Sequence, residues 1–290
     1  MNIRAVSSLA ECRQATDLEK RIWEFPDDRD VLPPAHLLVT LKRGGVLLGA
    51  FDAAGHMKGY VYAAPAVKDG RLTLWSHALG VMPEARGAGV GASLKFAQRQ
   101  HALRMGIDLI EWTCDPLQAA GAHLNFAKLG IVVEEYEENL YGDSSSGLHG
   151  AVPTDRFVAE WHLSTPHVER RLAASVGAAA AGQEARRTAA PMSVRDGAVV
   201  AAVLVNPSRG TAQSLEPGAP DLEVEAARVL VEIPTAFTEM LREQPDLARE
   251  WRMITRTIFQ AYFGRGYRAV DFFAAREHGR GQYLLARAAS

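Results

Sequence analysis

A run of small residues follows an arginine where an alternating segment gives way to a helical one. The run consists of Gly87, Ala88, Gly89, Val90 and Gly91, and Arg86 precedes it. Glycine inside a helix costs about 1 kcal/mol relative to alanine, so three glycines at a helix start require another reason. The free N–H groups of a helix start bind anions, and glycines let an anion approach them. Because a guanidinium also fits phosphate oxygens, the stretch predicts a pyrophosphate site.

A nicotinamide dinucleotide is an alternative ligand for this pyrophosphate site. The letters "GAGVGA" satisfy the fingerprint G-x-G-x-x-G/A, and Glu111 lies at about the offset of a ribose contact. In that fingerprint the glycines follow their strand almost immediately. Here the strand ends near Val81, "MPEAR" intervenes, and three antiparallel-looking segments come before it. The position of the glycines therefore disfavours a dinucleotide as the phosphate ligand, but this alternative remains open.

The segments around the glycines must position them, and their periodicity predicts strands and helices. A strand and a helix open the chain, and a short second helix begins at the Pro33–Pro34 pair. Three alternating segments then predict an antiparallel meander; they span 46–52, 56–64 and 72–81.

The glycine stretch opens a helix that ends at Gly106. Its apolar side carries Leu94, Ala97, His101 and Met105. Lys95 falls elsewhere on the helix, as do Arg99 and Arg104. The segments that follow are a strand at 107–114, a helix at 117–130 and strands at 131–141 and 156–163.

From Pro166 the sequence becomes rich in alanine and glycine, which predicts a domain boundary. We expect domains at 1–165 and 166–290. The second contains predicted strands at 193–206 and 223–233, a helical region broken at Pro245, and a hairpin at 267–286. The strand-helix-strand-strand order of 226–288 resembles the order that begins at 72–81. It is either a degenerate repeat or a chance likeness of two α/β units.

Composition bounds the class of protein. The 290 residues are 48% hydrophobic, which is ample for a core. The net charge of −2 argues against nucleic-acid binding as the main activity. Cys12 and Cys114 fit neither a metal site nor a disulfide framework. With no signal-peptide pattern and no apolar run of about eighteen residues, a cytoplasmic protein without a membrane partner is predicted.

The segment "VMPEARGAGVGASL" resembles the acyl-coenzyme A site of the GNAT acetyltransferase superfamily. Val81, Pro83, Arg86, Gly89 and Gly91 take the places of that pattern. The predicted element order also agrees over residues 1 to about 165. More narrowly, "EWTCDPL", "HLNFAKLG", "NLYG" and "PTDRFVAEW" are similar to a subgroup of two-lobed, mostly predicted acetyltransferases. The implied fold is α/β (α+β): a mixed, mostly antiparallel sheet flanked by helices, with a smaller second α/β lobe.

The resemblance implies which residues hold acetyl-CoA. The pyrophosphate lies on the amides of the loop, and the pantetheine arm runs between the strands that end at Val81 and Cys114. The implied binding residues are Leu79, Gly80, Val81, Arg86, Gly87, Ala88, Gly89, Val90, Gly91, Ala92 and Asn125. No metal is implied.

Acyl transfer to an amine needs a base for the amine and benefits from an acid for the departing thiolate. His77 is the first candidate for the base, because it precedes Val81 by four residues and its ordinary pKa lies near neutrality. A structural histidine is the alternative. Glu111 is a second candidate base or a partner that orients His77, or else a solvated strand carboxylate.

The acid differs from the family pattern. Many members of the superfamily use a tyrosine in an F-Y-x-K-x-G-F-like segment, but "NFAKLGI" places Phe126 there, which cannot donate a proton. Tyr141 in "ENLYGD" or bulk water takes this role instead.

Together these features predict transfer of an acetyl or short acyl group from acetyl-CoA to a primary amine in a ternary complex. A small, amino-acid-like acceptor is favoured because no extended peptide-binding feature is evident. The C-terminal lobe either completes the acceptor pocket or mediates self-association, as in a homodimer. An NAD(P)-dependent oxidoreductase and a non-catalytic CoA-binding regulatory module remain alternatives.

Overall fold

A computed structural model of the chain describes residues 1–142, 152–180 and 202–287. These residues form two compact units, Met1–Trp112 and the residues from Thr113 onward. Within the described ranges no helix has the length and apolar character needed to cross a membrane. Both cysteines are free thiols.

The first unit is a sheet with helices packed on it. Its elements are β1 (Asn2–Ala5), α1 (Leu9–Trp23), α2 (Pro34–Leu41), β2 (Val46–Phe51), β3 (Met57–Lys68), β4 (Arg71–Val81), α3 (Val90–Arg104) and β5 (Leu109–Cys114), with 3₁₀ turns at Asp28–Asp30 and Pro83–Ala85. The strands stand in the order β1-β2-β3-β4-β5. Neighbours are antiparallel except β4 and β5, which are parallel. The predicted meander is confirmed as β2, β3 and β4.

Helices α1 and α2 cover one face of this sheet. Ser8 caps α1 by accepting the N–H of Glu11 at 3.2 Å. The apolar stripe of α1 then packs on alternate residues of β3, including Tyr60 and Tyr62. Helix α3 packs on β2, β3 and β4 through the opposite residues of these strands, among them the fully buried Val61.

The apolar side predicted for α3 is wrong in part. Leu94 is fully buried, as expected, but Ala97, His101 and Met105 are only partly buried. Lys95 and Gln98 are buried instead, and both are polar. The reason is that β4 presents a polar side chain, Ser76, to this face of the helix, so the helix turns polar groups toward it.

Strand β4 contains a β-bulge. Tyr62 on β3 stands opposite Ala78, but Ala64 stands opposite Trp75, so β4 has one residue more than β3 in this interval. Bulges bend a strand and redirect side chains. In the part of the chain that the structure describes, β4 pairs with β5 only at Leu74–Ile110 and Trp75–Glu111. The ladder therefore ends where the bulge begins, and β4 continues to Val81 without this partner.

The second unit contains the rest of the described chain. Its elements are the helix α4 (Ala119–Ala122) with a π-helical continuation (His123–Leu129), β6 (Val132–Glu137), β7 (Arg156–His162), α5 (Pro166–Ala180), β8 (Val203–Leu204), β9 (Arg209–Thr211), β10 (Ser214–Glu216), β11 (Arg228–Pro234), α6 (Phe237–Glu243), α7 (Pro245–Gly264), β12 (Tyr267–Ala275), a 3₁₀ turn (Arg276–His278) and β13 (Arg280–Arg287). The main strands stand in the order β7-β6-β12-β13-β11-β8, and β9 and β10 form a separate hairpin. The predicted strand at 193–206 lies mostly outside the described residues, and the boundary expected near residue 165 stays a prediction.

The repeat suggested by the sequence is offset from the predicted alignment. Strands β4 and β5, which α3 connects, are direct neighbours, whereas β13 separates β11 from β12. The order around β11 instead matches β5-α4-β6-β7, because each helix is followed by an antiparallel hairpin. Gly130 and Gly266 end the two helices with φ of 73° and 79°. The likeness therefore begins at β5 rather than at β4.

Candidate acyl-carrier site

The loop before α3 has the geometry of an anion cradle. Gly87 and Gly89 have φ of 79° and 81°, values that favour glycine, and no atom lies within 4 Å of a Cβ built on either residue. The first helical hydrogen bond runs from the N–H of Ser93 to the O of Gly89 at 3.0 Å. The amides of Val90, Gly91 and Ala92 thus precede the helical ladder and belong to its first turn.

Arg86 joins this loop to the end of β4. Its Nε donates to the O of Val81 at 3.0 Å, and the side chain is exposed beside Gly87 and Ala88. The 3₁₀ turn between β4 and Arg86 confirms that "MPEAR" separates the strand from the glycines. The arrangement places a guanidinium at the mouth of the loop, where it can pair with a phosphate.

The backbone of β4 has hydrogen-bonding groups on the side of β5. In an antiparallel pair, successive residues point these groups alternately toward and away from the partner. The N–H of Met82 donates to the O of Lys58 on β3 at 2.9 Å. By alternation, Gly80 points its groups to β3, and Leu79 and Val81 point theirs to the β5 side. The N–H groups of these two residues therefore line the interval where β4 no longer pairs with β5.

The bulge brings His77 against β3. Its ring makes an edge contact with Tyr62 at 6.2 Å between centroids. The residue is exposed to solvent, yet neighbouring protein partly desolvates the ring, which lowers the pKa of His77 below its usual range; the charge of His36 on α2 lowers the pKa further. A histidine with a lowered pKa is neutral, and able to accept a proton, over a wider range of pH.

Glu111 is held inside the first unit by an ion pair. Its carboxylate accepts from Lys68 Nζ at 2.9 Å and from Thr73 Oγ1 at 3.3 Å. It stands opposite Trp75 in the β4–β5 ladder. These contacts give Glu111 a structural partner, and its role as a base or as an orienting group for His77 stays a prediction.

The other two predicted site residues lie in the second unit. Tyr141 lies in a turn beyond β6, because that strand ends at Glu137 rather than reaching residue 141. It is exposed, and its hydroxyl is 2.7 Å from Thr113 Oγ1. Asn125 is buried in the π-helical turn, and the neighbouring Phe126 packs edge-on against Tyr283. Their predicted roles stay predictions.

The sequence did not single out Glu19, which lies buried on the apolar side of α1. Its Oε2 accepts the N–H of Leu32 at 3.0 Å, and burial raises the pKa of the carboxyl. Its charge acts on the buried Tyr60, whose hydroxyl has no hydrogen-bond partner among the described residues. A glutamate beside Leu18 in an otherwise apolar stripe was the available signal.

We expect Glu19→Gln to raise stability at pH 8 and to change it little at pH 4. Burial raises the folded pKa above the ordinary 4.5, so the stability linked to the protonated group is present at low pH and is lost as pH rises through the folded pKa. Glutamine stays neutral and still accepts from Leu32. Tm between pH 4 and pH 8 measures the effect, with the exposed Glu24→Gln as control. A variant that follows the wild-type pH dependence contradicts this account.

No family model and no curated protein matches the sequence. Among the described residues no cluster of three or more metal-ligating side chains occurs. Several solved structures that resemble part of this chain are acetyltransferases.

Three of them illustrate the extent of the likeness. The ribosomal-protein-S18-alanine N-acetyltransferase from Escherichia coli is 15% identical, with 57% of this chain and 94% of that chain covered and a TM-score of 0.45. An acetyltransferase of the GNAT family from Streptococcus pneumoniae is 19% identical, with 55% and 97% covered and a TM-score of 0.44. The NatC complex bound to Gag peptide and CoA is 13% identical, with 56% and 98% covered and a TM-score of 0.46.

Proposed function

We propose that this protein is a GNAT-type N-acetyltransferase that moves an acetyl or short acyl group from acetyl-CoA to a primary amine of a small, amino-acid-like molecule. One observation carries the proposal. The β4–β5 ladder stops at Trp75–Glu111, and β4 then runs unpaired with β5 to Val81, from which a short 3₁₀ turn leads to the exposed glycine loop. A slot lined by backbone N–H groups with an anion cradle at its mouth suits a long carrier that ends in a diphosphate.

The residues present fit that carrier. Open space stands in front of Gly87 and Gly89, where any side chain would point toward the ligand. Arg86 adds positive charge, and Leu79 and Val81 supply N–H groups for a polar arm. When bound, acyl-CoA supplies the acyl group as an activated thioester.

The residues of the chain would act on protons and on charge. His77 lies next to the unpaired part of β4 and accepts the proton of the attacking amine. The N–H groups of β4 stabilise negative charge that develops on the carbonyl oxygen. The proton for the departing sulfur comes from Tyr141 or from water, since a thiol pKa of about 8.5 already makes the thiolate a fair leaving group.

The oxidoreductase alternative is weakened by Glu111. A ribose-binding acidic residue is expected at the carboxyl end of its strand, but Glu111 is three residues before the end of β5 and is paired with Lys68. The non-catalytic CoA-binding module remains the second candidate, because Phe126 replaces the tyrosine of the family pattern. Self-association through the C-terminal lobe stays a prediction.

Ligand-induced stabilisation tests the donor. Acetyl-CoA at 100 times its Kd raises the stability of a one-site protein by about 2.7 kcal/mol. We expect acetyl-CoA, but not NADH, to raise Tm; the reverse result overturns the proposal. Release of free thiol from acetyl-CoA across a panel of amines then separates the enzyme from the module. If the protein binds CoA but releases no thiol with any amine of the panel, the non-catalytic module is favoured.

We expect Gly89→Val to weaken CoA binding by about tenfold or more, the value of one hydrogen bond to a charged group. A β-branched residue does not readily adopt φ of 81° and brings a side chain into the cradle. Gly55→Val is the matched control, because Gly55 has φ of 84° and equally open space in the turn between β2 and β3. Calorimetric titration with CoA measures the difference. Equal affinity in the two variants contradicts the assignment of the loop.

A further inference from the structure

A lysine lies buried under the sheet of the first unit. Lys95 on α3 is 2% exposed. Its Nζ donates to Ser76 Oγ at 2.9 Å and to Gln98 Oε1 at 3.1 Å, and lies 3.7 Å from the centroid of the Trp112 ring. The amide of Gln98 also donates to Ser76 Oγ at 3.1 Å. Three buried side chains, one each from α3, β4 and β5, thus surround the ammonium group of Lys95.

This cluster stands where the β4–β5 ladder ends. The last paired residues are Trp75 and Glu111, so Ser76 and Trp112 would form the next pair of a continuing ladder. The ammonium of Lys95 bridges these two side chains instead, by a hydrogen bond to one and a cation–π contact with the other.

The same contact fixes the bulge. Ser76 points to α3, where Lys95 and Gln98 hold it. His77 contacts Tyr62, on the face that α1 and α2 cover, and Ala78 belongs to the same core cluster as Tyr62. Two consecutive residues on one face are the mark of a bulge, so the orientation of Ser76 decides where His77 lies.

Burial of this lysine is costly in free energy. Lysine is almost never fully buried unless its ammonium is satisfied, and here Ser76 and Gln98 accept from it while the ring of Trp112 lies beside it. An apolar residue such as leucine would fill the same place without that cost. The ammonium is therefore most simply explained by the geometry it imposes on β4 and β5.

We propose that Lys95 is a positioning residue that locks the bulge at Ser76–His77 and keeps β4 and β5 apart at the closed end of the slot. The inference rests on the proposed function, because the group that it positions is the base of that reaction. Lys95 itself does not contact the substrate in this proposal. It acts through Ser76, and through Trp112 on the other strand.

The test uses three variants of the full chain. Lys95→Met keeps the length of the side chain and removes the ammonium. Ser76→Ala removes only the hydroxyl and remains measurable if Lys95→Met does not fold. Gln100→Met, exposed on the same helix, is the matched control. The readouts are the Kd for free CoA, kcat with the best amine of the panel, and the titration midpoint of His77 by proton NMR.

The NMR readout does not depend on activity. Among the described residues, the ionisable groups that face His77 are Tyr62 on β3 and His36 on α2, and the charge of Glu19 on α1 acts on Tyr62. If the bulge relaxes, the ring of His77 leaves Tyr62 and regains water, so its titration midpoint rises toward the ordinary value of 6.5.

In Lys95→Met and Ser76→Ala we expect kcat to fall by about 10- to 100-fold, as for a displaced catalytic group. The Kd for CoA stays within about twofold, because neither side chain belongs to the glycine loop and both are buried, and the midpoint of His77 rises. Unchanged kcat and an unchanged midpoint in both variants overturn the inference, as does a loss of CoA affinity that matches the loss of rate. If the wild type binds no CoA, the proposed function fails, and the midpoint of His77 still decides whether Lys95 holds the bulge.

Discussion

Replacing His77 with alanine lowers kcat by about 10²- to 10⁴-fold, the usual contribution of a general base. The amine must lose a proton, and His77 is the basic side chain that the bulge places beside the unpaired part of β4. The Kd for CoA stays within about twofold, because the pyrophosphate cradle begins ten residues later. Steady-state thiol release and calorimetric titration measure the two quantities.

The pH dependence of the wild type adds a second readout. Its surroundings lower the pKa of His77. We therefore expect the acid limb of the pH profile of kcat/KM to have its midpoint below the ordinary histidine pKa of 6.5. The limb moves or disappears in His77→Ala. His56→Ala, an exposed histidine in the turn between β2 and β3, is the control and keeps the wild-type profile. A rate for His77→Ala equal to that of the control removes His77 from the mechanism.

Much of the first unit could be predicted because its signals are local. Alternation gave β2, β3 and β4, and the glycine loop gave the start of α3. The environment of Lys95 could not be predicted in this way. A charged residue in a helix is normally assigned to solvent, and one group that accepts from the buried ammonium, Ser76, lies on β4 nineteen residues earlier.

Site chemistry was predictable only where one segment contains it. The cradle is continuous in sequence, so residue types and spacing sufficed. The partner of Glu111 is Lys68, which is 43 residues away, and the sequence of neither segment predicts this ion pair. Tyr141 was expected at the end of a strand, but β6 ends at Glu137 because the chain then turns, and Asn139 accepts the N–H of Thr154 through its side chain.

In the second unit, too, contacts between residues that are distant in sequence could not be predicted. The helical spacing of Trp251, Ile258 and Tyr262 fits their burial on one side of α7. It gave no sign that Arg252 lies within the buried face, because the acidic partner, Asp115, is 137 residues earlier. Strand order in a sheet likewise depends on pairings between distant segments, which is why β13 between β11 and β12 was not foreseen.

The buried ion pair of the second unit leads to the second large effect. Arg252 is 1% exposed, and its Nη2 donates to Asp115 Oδ2 at 2.8 Å. Its Nε and Nη1 are buried without a hydrogen-bond partner among the described residues. Asp115 also accepts the N–H of Leu117 at 2.9 Å and has Arg156 at 3.9 Å. The aspartate has other close partners. Among the described residues, Asp115 is the carboxylate that hydrogen-bonds to Arg252, and Asp155 adds only charge.

We therefore expect Asp115→Ala to cost about 3–5 kcal/mol of unfolding free energy in the second unit, because it leaves a buried guanidinium uncompensated. Arg252→Met costs less, since Asp115 keeps Leu117 and Arg156, and the double variant recovers part of the loss. Hydrogen exchange at the amides of α7 measures this unit by itself. Arg268→Met, which breaks the exposed pair with Glu134, is the matched control and changes stability by less than about 1 kcal/mol.

The dependence of stability on acid pH independently tests the pair of Asp115 and Arg252. Burial alone would raise the pKa of Asp115, but the charge and hydrogen bond of Arg252 outweigh it and hold the pKa below the ordinary 3.8. The stability that this shift contributes is thus complete above pH 3.8 and is lost as pH falls through the folded pKa. Asp115→Asn has no carboxyl to protonate, so its deficit relative to the wild type shrinks below pH 3.8. A deficit that stays constant through that range means that the charge of Asp115 contributes nothing to the stability of the second unit.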